Sequence, residues 1–233
     1  MKYILNNPTE EQINALKQLG LCVYRTSEGI HYVDVPEITE EELPKVDVVD
    51  LGLPSGLKWA SCNIGANKPC DSGLLFQWGR VDGYAYGDNN HNVSADSVPT
   101  TTSGKNYAKG AVLDPADDAA YAATNGKLRM PTVAEIDELL SSTNNTWCQC
   151  NSVLGMLFTS KKDESKKIFI PVAGGLDGND GKFYNAYSNG SVWSSSISFG
   201  RADYAYCLDF YSGYCNRYSY SRCDGYSVRG VCK

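Results

Sequence analysis

The sequence predicts an α+β chain of short strands and irregular loops with one or two helices, preceded by a small helix-plus-hairpin module. Three observations carry this expectation. Capping boxes at Thr9 and Thr132 open the only two stretches with clear helical apolar spacing. Elsewhere the apolar runs are short and are punctuated by Gly, Pro, Asn and Asp, as strands and turns require. The third is the composition of the tail. From Ser194 to Val231 there are seven Tyr, eight Ser and three Cys, with no Lys, Glu, Gln, Met, Trp, Thr, His or Pro. Lys and Glu are common on ordinary surfaces, whereas Tyr, Ser, Asn, Gly and Arg are the vocabulary of adaptable binding surfaces.

Residues 1–46 read as the small module. Thr9 is an N-cap with Gln12 as its partner, Ile13, Leu16 and Leu19 form one apolar stripe, and Gly20 ends the helix. A hairpin follows over Leu21–Arg25 and Ile30–Val35, turning at Thr26–Gly29. About forty residues are marginal as an independent fold, so this module is expected to dock on the rest, on a partner chain or on a second copy. The acidic stretch from Glu37 to Glu42, closed by Pro44, reads as a solvated linker.

Residues 47–233 read as one domain. Strands are expected at Val46–Leu51, around Trp59, at Met156–Ser160 and at Lys167–Val172. Residues 80–127 form a long irregular excursion containing His91, a lone His without a paired group. Thr132 and Glu135 cap a helix whose buried stripe is Val133, Ile136, Leu139 and Leu140. From Trp193 onward the tail reads as strands broken by Gly200, Gly213 and Gly225, and Trp193 itself is too large to be anything but core.

Composition and motifs exclude most chemistry. A net charge of −6 without a basic block argues against nucleic acid. No run approaches the roughly 20 apolar residues of a membrane span, and the first residues lack a secretory signal. The chain is therefore expected to be made in the cytoplasm, with any virion or cell-surface role reached by another route. Its nine cysteines are read as reduced thiols, including the Cys148–Cys150 pair and the evenly spaced Cys207, Cys215 and Cys223. The segment from Gly174 to Gly181 departs from a calcium loop and reads as a hairpin turn. Asp114, Asp117 and Asp118 read as favourable charge at a helix start. No phosphate loop or nucleophile elbow occurs. No catalytic residue, metal or cofactor is expected.

Several blocks, in order, carry a resemblance: Asp50–Ala66 (DLGLPSGLKWASCNIGA), Phe76–Gly79 (FQWG), Leu128–Thr132 (LRMPT), Ile168–Gly174 (IFIPVAG), Val192–Ser196 (VWSSS) and Gly225–Arg229 (GYSVR). Together they resemble the Fibrobacter succinogenes-type major paralogous domain of Bacteroidetes and their phages. That domain is similar to a branch of the C-type lectin fold shared with the formylglycine-generating, sulfatase-modifying enzymes. The resemblance spans residues 47–233. It implies a C-type lectin fold of the kind used by the variable proteins of diversity-generating retroelements, in which adenine mutagenesis rewrites Asn codons of the form AAY. The resulting NNY codons never encode Lys, Glu, Gln, Met or Trp, and the tail after Trp193 obeys that exclusion up to Lys233.

The resemblance implies a ligand-binding, receptor- or adhesin-like protein whose partner is a protein or cell-surface molecule, with a variable region at about 187–229. Its framework would be Trp193–Ser195, Ala205, Leu208, Phe210, Gly213 and Gly225–Arg229. Its exposed, ligand-facing set would be Tyr187, Ser191, Ser198, Phe199, Arg201, Asp203, Tyr204, Asp209, Tyr211, Tyr214, Asn216, Tyr218, Tyr220, Cys223, Asp224 and Tyr226. Alternation along a strand would turn Leu208 and Phe210 inward and Asp209 and Tyr211 outward. Two alternatives remain: a copper oxidase of the formylglycine-generating type, using Cys215 and Cys223, and an unmutated structural or carbohydrate-binding domain.

Overall fold

The computed structural model describes residues 2–5, 8–18, 23–26, 31–43, 47–85, 107–185 and 187–233. The expectations placed on Leu19, Gly20, Leu21, the turn residues 27–29, Pro44, Val46 and His91 fall outside them. The fold is mixed α+β and mostly strand.

Helix α1 (Glu10–Gln18) starts at the expected capping box: the Thr9 amide donates to Gln12 Oε1 (2.9 Å) and the Gln12 amide to Thr9 Oγ1 (3.2 Å). The hairpin follows as β2 (Val23–Arg25) and β3 (His31–Asp34), with Val23 opposite Val33. A further strand, β1 (Lys2–Leu5), pairs with the other edge of β3. Four residues are too few to reveal a period in sequence.

The acidic stretch is not a free linker. Glu37–Ile38 forms β4, parallel to β9 (Thr143–Cys150), and the Gln149 amide donates to the Pro36 carbonyl. Thr39 then caps a 3-10 turn over Glu40–Glu42, while Val35 and Leu43 are buried. Charge kept the Glu37, Glu41 and Glu42 side chains in solvent without freeing the backbone, because the apolar residues on either side bury.

The strands β5 (Val48–Asp50) and β6 (Lys58–Asn63) flank the expected turn and form a sheet with the last strand, β18 (Arg229–Cys232). Two short strands, β7 (Leu74–Gln77) and β8 (Tyr84–Ala85), come next, then α2 (Ala119–Ala123) and α3 (Val133–Ser142). Asp118 caps α2 by accepting from the Tyr121 amide, as its charge and position predict. Thr132 and Glu135 cap α3, whose Val133, Ile136 and Leu139 are buried.

Strand β9 pairs with β10 (Val153–Ser160), which pairs with β11 (Lys167–Pro171). The β9–β10 turn is Asn151-Ser152, both at positive φ (48° and 67°), as a two-residue hairpin turn demands. The sequence pattern hid β9, whose first half is Thr143-Asn144-Asn145-Thr146. At its end Cys150 is disulfide-bonded to Cys70, with Cα atoms 6.1 Å apart. The expectation of reduced thiols throughout is thereby corrected: the two cysteines lie 80 residues apart, and no spacing rule pairs them. Cys62, Cys148, Cys207, Cys215, Cys223 and Cys232 are free thiols.

The tail builds the largest sheet. The segment read as a hairpin is one: β12 (Gly175–Leu176) and β13 (Phe183–Tyr184) pair antiparallel around residues 177–182. After them run β14 (Asn189–Ile197), β15 (Tyr204–Tyr211), β16 (Tyr214–Ser221) and β17 (Gly225–Ser227). The order is β13-β12-β17-β14-β15-β16, with β7 on the other side of β17 and β8 beyond it. Gly213, at φ +81°, supplies the left-handed residue of the β15–β16 turn.

Two apolar clusters share this frame. One joins Leu57, Trp59, Ile136, Phe158, Ile170, Leu208 and Phe210. The other joins Phe76, Trp78, Met130, Trp193, Cys207 and Val228. The serines after Trp193 are not filler. Trp78 Nε1 donates to the Ser194 carbonyl and Trp193 Nε1 to that of Phe76, each at 2.7 Å. Ser196 Oγ accepts from the Val133 amide (3.1 Å), fixing α3 against β14.

Arg229 is fully buried. Its Nε donates to Asn63 Oδ1 (2.8 Å), Nη1 to the carbonyls of Ala60 (3.1 Å) and Ser61 (2.8 Å), and Nη2 to that of Phe169 (3.1 Å). Burial lowers its pKa to about 10, and among the described residues the guanidinium is held by this oxygen cage without a carboxylate. Removing one member of such a buried polar set leaves the rest uncompensated. Arg229→Met is expected to cost about 3 kcal/mol or more of unfolding free energy, read from the urea midpoint. A loss under about 1 kcal/mol would contradict the role given to this side chain.

Candidate ligand-binding face

Strand alternation sorts the tail into two faces. On one, Leu208 and Phe210 enter the core with Val192, and Cys215 packs against them. Arg217, also on this face opposite Leu208, reaches Asp137 of α3 at 2.7 Å. On the other face, register aligns Ser191 with Asp209 and Asn216, Trp193 with Cys207 and Tyr218, and Tyr211 with Tyr214. Leu208 and Phe210 do point inward and Tyr211 outward.

The second face is buried at its centre and open along β16. Tyr226 is buried, its ring edge-on to Trp193 at 4.9 Å and its hydroxyl 2.6 Å from that of Tyr184. Tyr220 leans on Tyr226 (5.1 Å) and on Tyr218 (4.9 Å), and Tyr211 stacks with Tyr214 (4.9 Å, 12° between planes). Asn216 and Tyr218 are exposed, while Tyr211, Tyr214 and Tyr220 are half-buried. Burial pushes the Tyr184 phenol up to about 12 and raises those of Tyr220 and Tyr226 as well. All three are neutral hydrogen-bonding groups at physiological pH.

Four expected surface residues are therefore corrected. Ser191, Ser198, Asp209 and Tyr226 are buried. Asp209 does lie on the face opposite Leu208, but tyrosines from the neighbouring strand cover it. Its Oδ1 accepts from Ser191 Oγ (2.8 Å), and Tyr220 also hydrogen-bonds it. Burial raises its pKa against those two bonds.

The remaining expected positions fall into separate groups. Tyr187, among the most exposed at 84 %, precedes β14 at the end where Asn189 meets Tyr211. Ser198, Phe199, Arg201 and Asp203 belong to the β14–β15 turn, and Tyr204 opens β15. There Arg201 bridges Asp203 and lies 3.9 Å from the centre of the Tyr204 ring, and Phe199 is 66 % exposed. Cys223 and Asp224 sit against the 177–182 loop, where Gly178 donates its amide to Asp224 Oδ1 (3.1 Å). Tyr184 belongs to the tyrosine cluster but was not among the expected residues. The adjacent aromatics Phe183-Tyr184, in a segment otherwise made of turn residues, are its only sequence signal.

Among the described residues no group of three His, Cys, Asp or Glu could hold a metal ion, and no helix is long and apolar enough to cross a membrane. What the fold and this surface define is a mixed α+β protein with an aromatic face over the tail sheet. No protein-family model, no curated protein and no solved structure matches the chain.

Asp224 gives this region a pH signature. Burial pushes its pKa up to about 6, opposed by the Gly178 hydrogen bond and helped by nearby Asp177. With the folded pKa above the unfolded one, the native state holds the proton more tightly, so stability falls as pH rises from about 4 to 6. Asp224→Asn is expected to match the parent near pH 4 and to exceed it in unfolding free energy at pH 7. Urea titrations at the two pH values measure this, and a pH-independent difference would contradict the assignment.

Proposed function

We propose that this chain is a ligand-binding protein that presents a tyrosine-rich face on a static scaffold of the C-type lectin kind. We read the face as the diversified part of a retroelement variable protein. Its ligand is a protein or cell-surface molecule. One observation carries the reading: along β16, positions the fold needs alternate with positions it does not. Cys215 packs on the core and Arg217 bridges to α3, while Tyr214, Asn216 and Tyr218 stand on the other face, around the edge of the cluster. Tyrosines give contact area at low entropic cost, and Ser and Asn adapt around them.

The buried positions support the same division. Trp193, Ser194, Ser195, Ala205, Leu208, Phe210 and Val228 are all buried, and each fills the core or locks backbone. A surface can then change by many side chains at once without touching what holds the strands.

The oxidase alternative needs two tail cysteines close together. Cys215 lies under the sheet at the start of β16, with its thiol pushed up to about 12 by burial, and Cys223 sits beside Ser221 past the other end. The strand between them is about 20 Å long. That separation favours the binding reading.

Sibling copies of the gene test the proposal. Differences are expected to concentrate at Tyr187, Tyr211, Tyr214, Asn216, Tyr218, Tyr220 and the β14–β15 turn, at NNY codons, with those buried positions constant. Variation spread evenly over residues 47–233 would overturn it.

A further inference from the structure

Among the described residues, the tyrosine face has a carboxylate beneath it and no cation of its own. Asp209 is 5 % exposed and accepts from two neutral hydroxyls, those of Ser191 and Tyr220. A carboxylate offers about four lone-pair sites, so these donors leave acceptor capacity over. The titratable side chains that feel its charge are Tyr184 from β13, Cys207 from β15, and Tyr214, Cys215 and Tyr220 from β16. Every one is an acid. The basic residues of the tail are committed elsewhere: Arg217 to Asp137 on the opposite face, Arg201 to Asp203, Arg222 against Trp78, and Arg229 in its carbonyl cage.

The register shapes an approach to this carboxylate. Asn216 lies directly opposite Asp209 on β16, and Tyr214 and Tyr218 flank it two residues away on the same face. Those flanks stand about 13 Å apart along the strand, with the short, exposed Asn216 between them. Aromatic faces attract cations, and a desolvated carboxylate gains most from a partner that is itself weakly hydrated. A guanidinium meets both conditions: it is planar, stacks on open aromatic faces and presents a fork to a carboxylate. An ammonium is compact and strongly hydrated, so it suits an enclosed cage better than this open ladder.

We infer that the face takes an arginine side chain of a protein partner, its guanidinium seated over Asn216 against the exposed Tyr218 ring and drawn to the Asp209 carboxylate beneath. The inference rests on the binding reading above and adds the ligand chemistry of this particular chain. A diversified face draws its own preferences. A sibling with another residue at position 209 or 218 keeps the architecture and loses the preference for arginine.

The test uses the whole chain and three probes: N-acetyl-arginine amide, N-acetyl-lysine amide and N-acetyl-citrulline amide, the last a neutral analogue of arginine with nearly its shape. Amide and Tyr-ring NMR shifts are followed on titration. Arginine is expected to shift Tyr214, Asn216 and Tyr218 saturably, with citrulline about tenfold weaker and lysine between them. Asp209→Asn, which preserves size and removes the charge while exchanging one acceptor oxygen for a donor that the rotatable hydroxyls of Ser191 and Tyr220 can accept, is expected to bring arginine down to the citrulline level. Tyr218→Ala, at an exposed position, provides a second variant whose folding is not at risk, and it is expected to weaken arginine about fivefold. Equal binding of arginine and citrulline would overturn the inference, as would full arginine affinity in both variants. So would shifts confined to residues away from β16. The variation among sibling copies is read independently of these titrations, so either result can fail alone.

Discussion

A guanidinium buried without a carboxylate is tolerable only when acceptors surround it, and Arg229 finds them only when β6, β11 and β18 lie together. Its bonds to Asn63, Ala60, Ser61 and Phe169 join three strands from distant parts of the sequence. The last strand is thereby tied to the first strands of the domain. Val228, just before it, accepts from the Ile64 amide, and Ser227 of β17 lies opposite Val192 of β14. The position of β14 follows from this anchor, and β15 and β16 follow from β14. The open part of the tyrosine face is therefore positioned by buried contacts on both sides of the tail sheet.

That arrangement separates two demands that usually compete. Core-facing side chains at Val192, Leu208 and Phe210 and the Trp193 and Trp78 indoles fix the sheet. The outward tyrosines pack on one another, ring on ring, and Tyr220 also leans on the buried cluster around Trp193 and Tyr226. Asp209 and Tyr226 are the exceptions. Both are buried beneath the face and both hydrogen-bond tyrosines above them. They couple the surface to its floor, which is why the chemistry of this face is better described as aromatic over an anion than as aromatic alone.

Much of this was legible in the sequence wherever short-range physics decides the outcome. The capping boxes at Thr9 and Thr132 both form, because a cap is satisfied within four residues. The β12–β13 hairpin and the burial of Trp193 were legible for the same reason. What stayed hidden depends on neighbours remote in sequence. Strand β9 begins with Thr and Asn and shows no alternation, yet it sits between β10 and β4. The bond between Cys70 and Cys150 is invisible to spacing. At the site, alternation gave the face of Asp209 correctly but not its burial, because strand period says which way a side chain points and nothing of what covers it. Ser191 and Ser198, which the resemblance places on the surface, are buried, since small polar residues serve equally as surface and as buried hydrogen-bonding partners.

The central claim is that the fold is set by the buried side chains on both faces of the tail sheet, leaving the open part of the tyrosine face along β16 free to change. Hydrogen exchange on a chain with Tyr211, Tyr214, Asn216, Tyr218 and Tyr220 all replaced by Ser tests it most directly. The account predicts that the amides of β14 and β15 retain protection close to that of global unfolding, with loss confined to β16. Collapse of protection across β14 and β15 would contradict it and would make the tyrosines part of the scaffold.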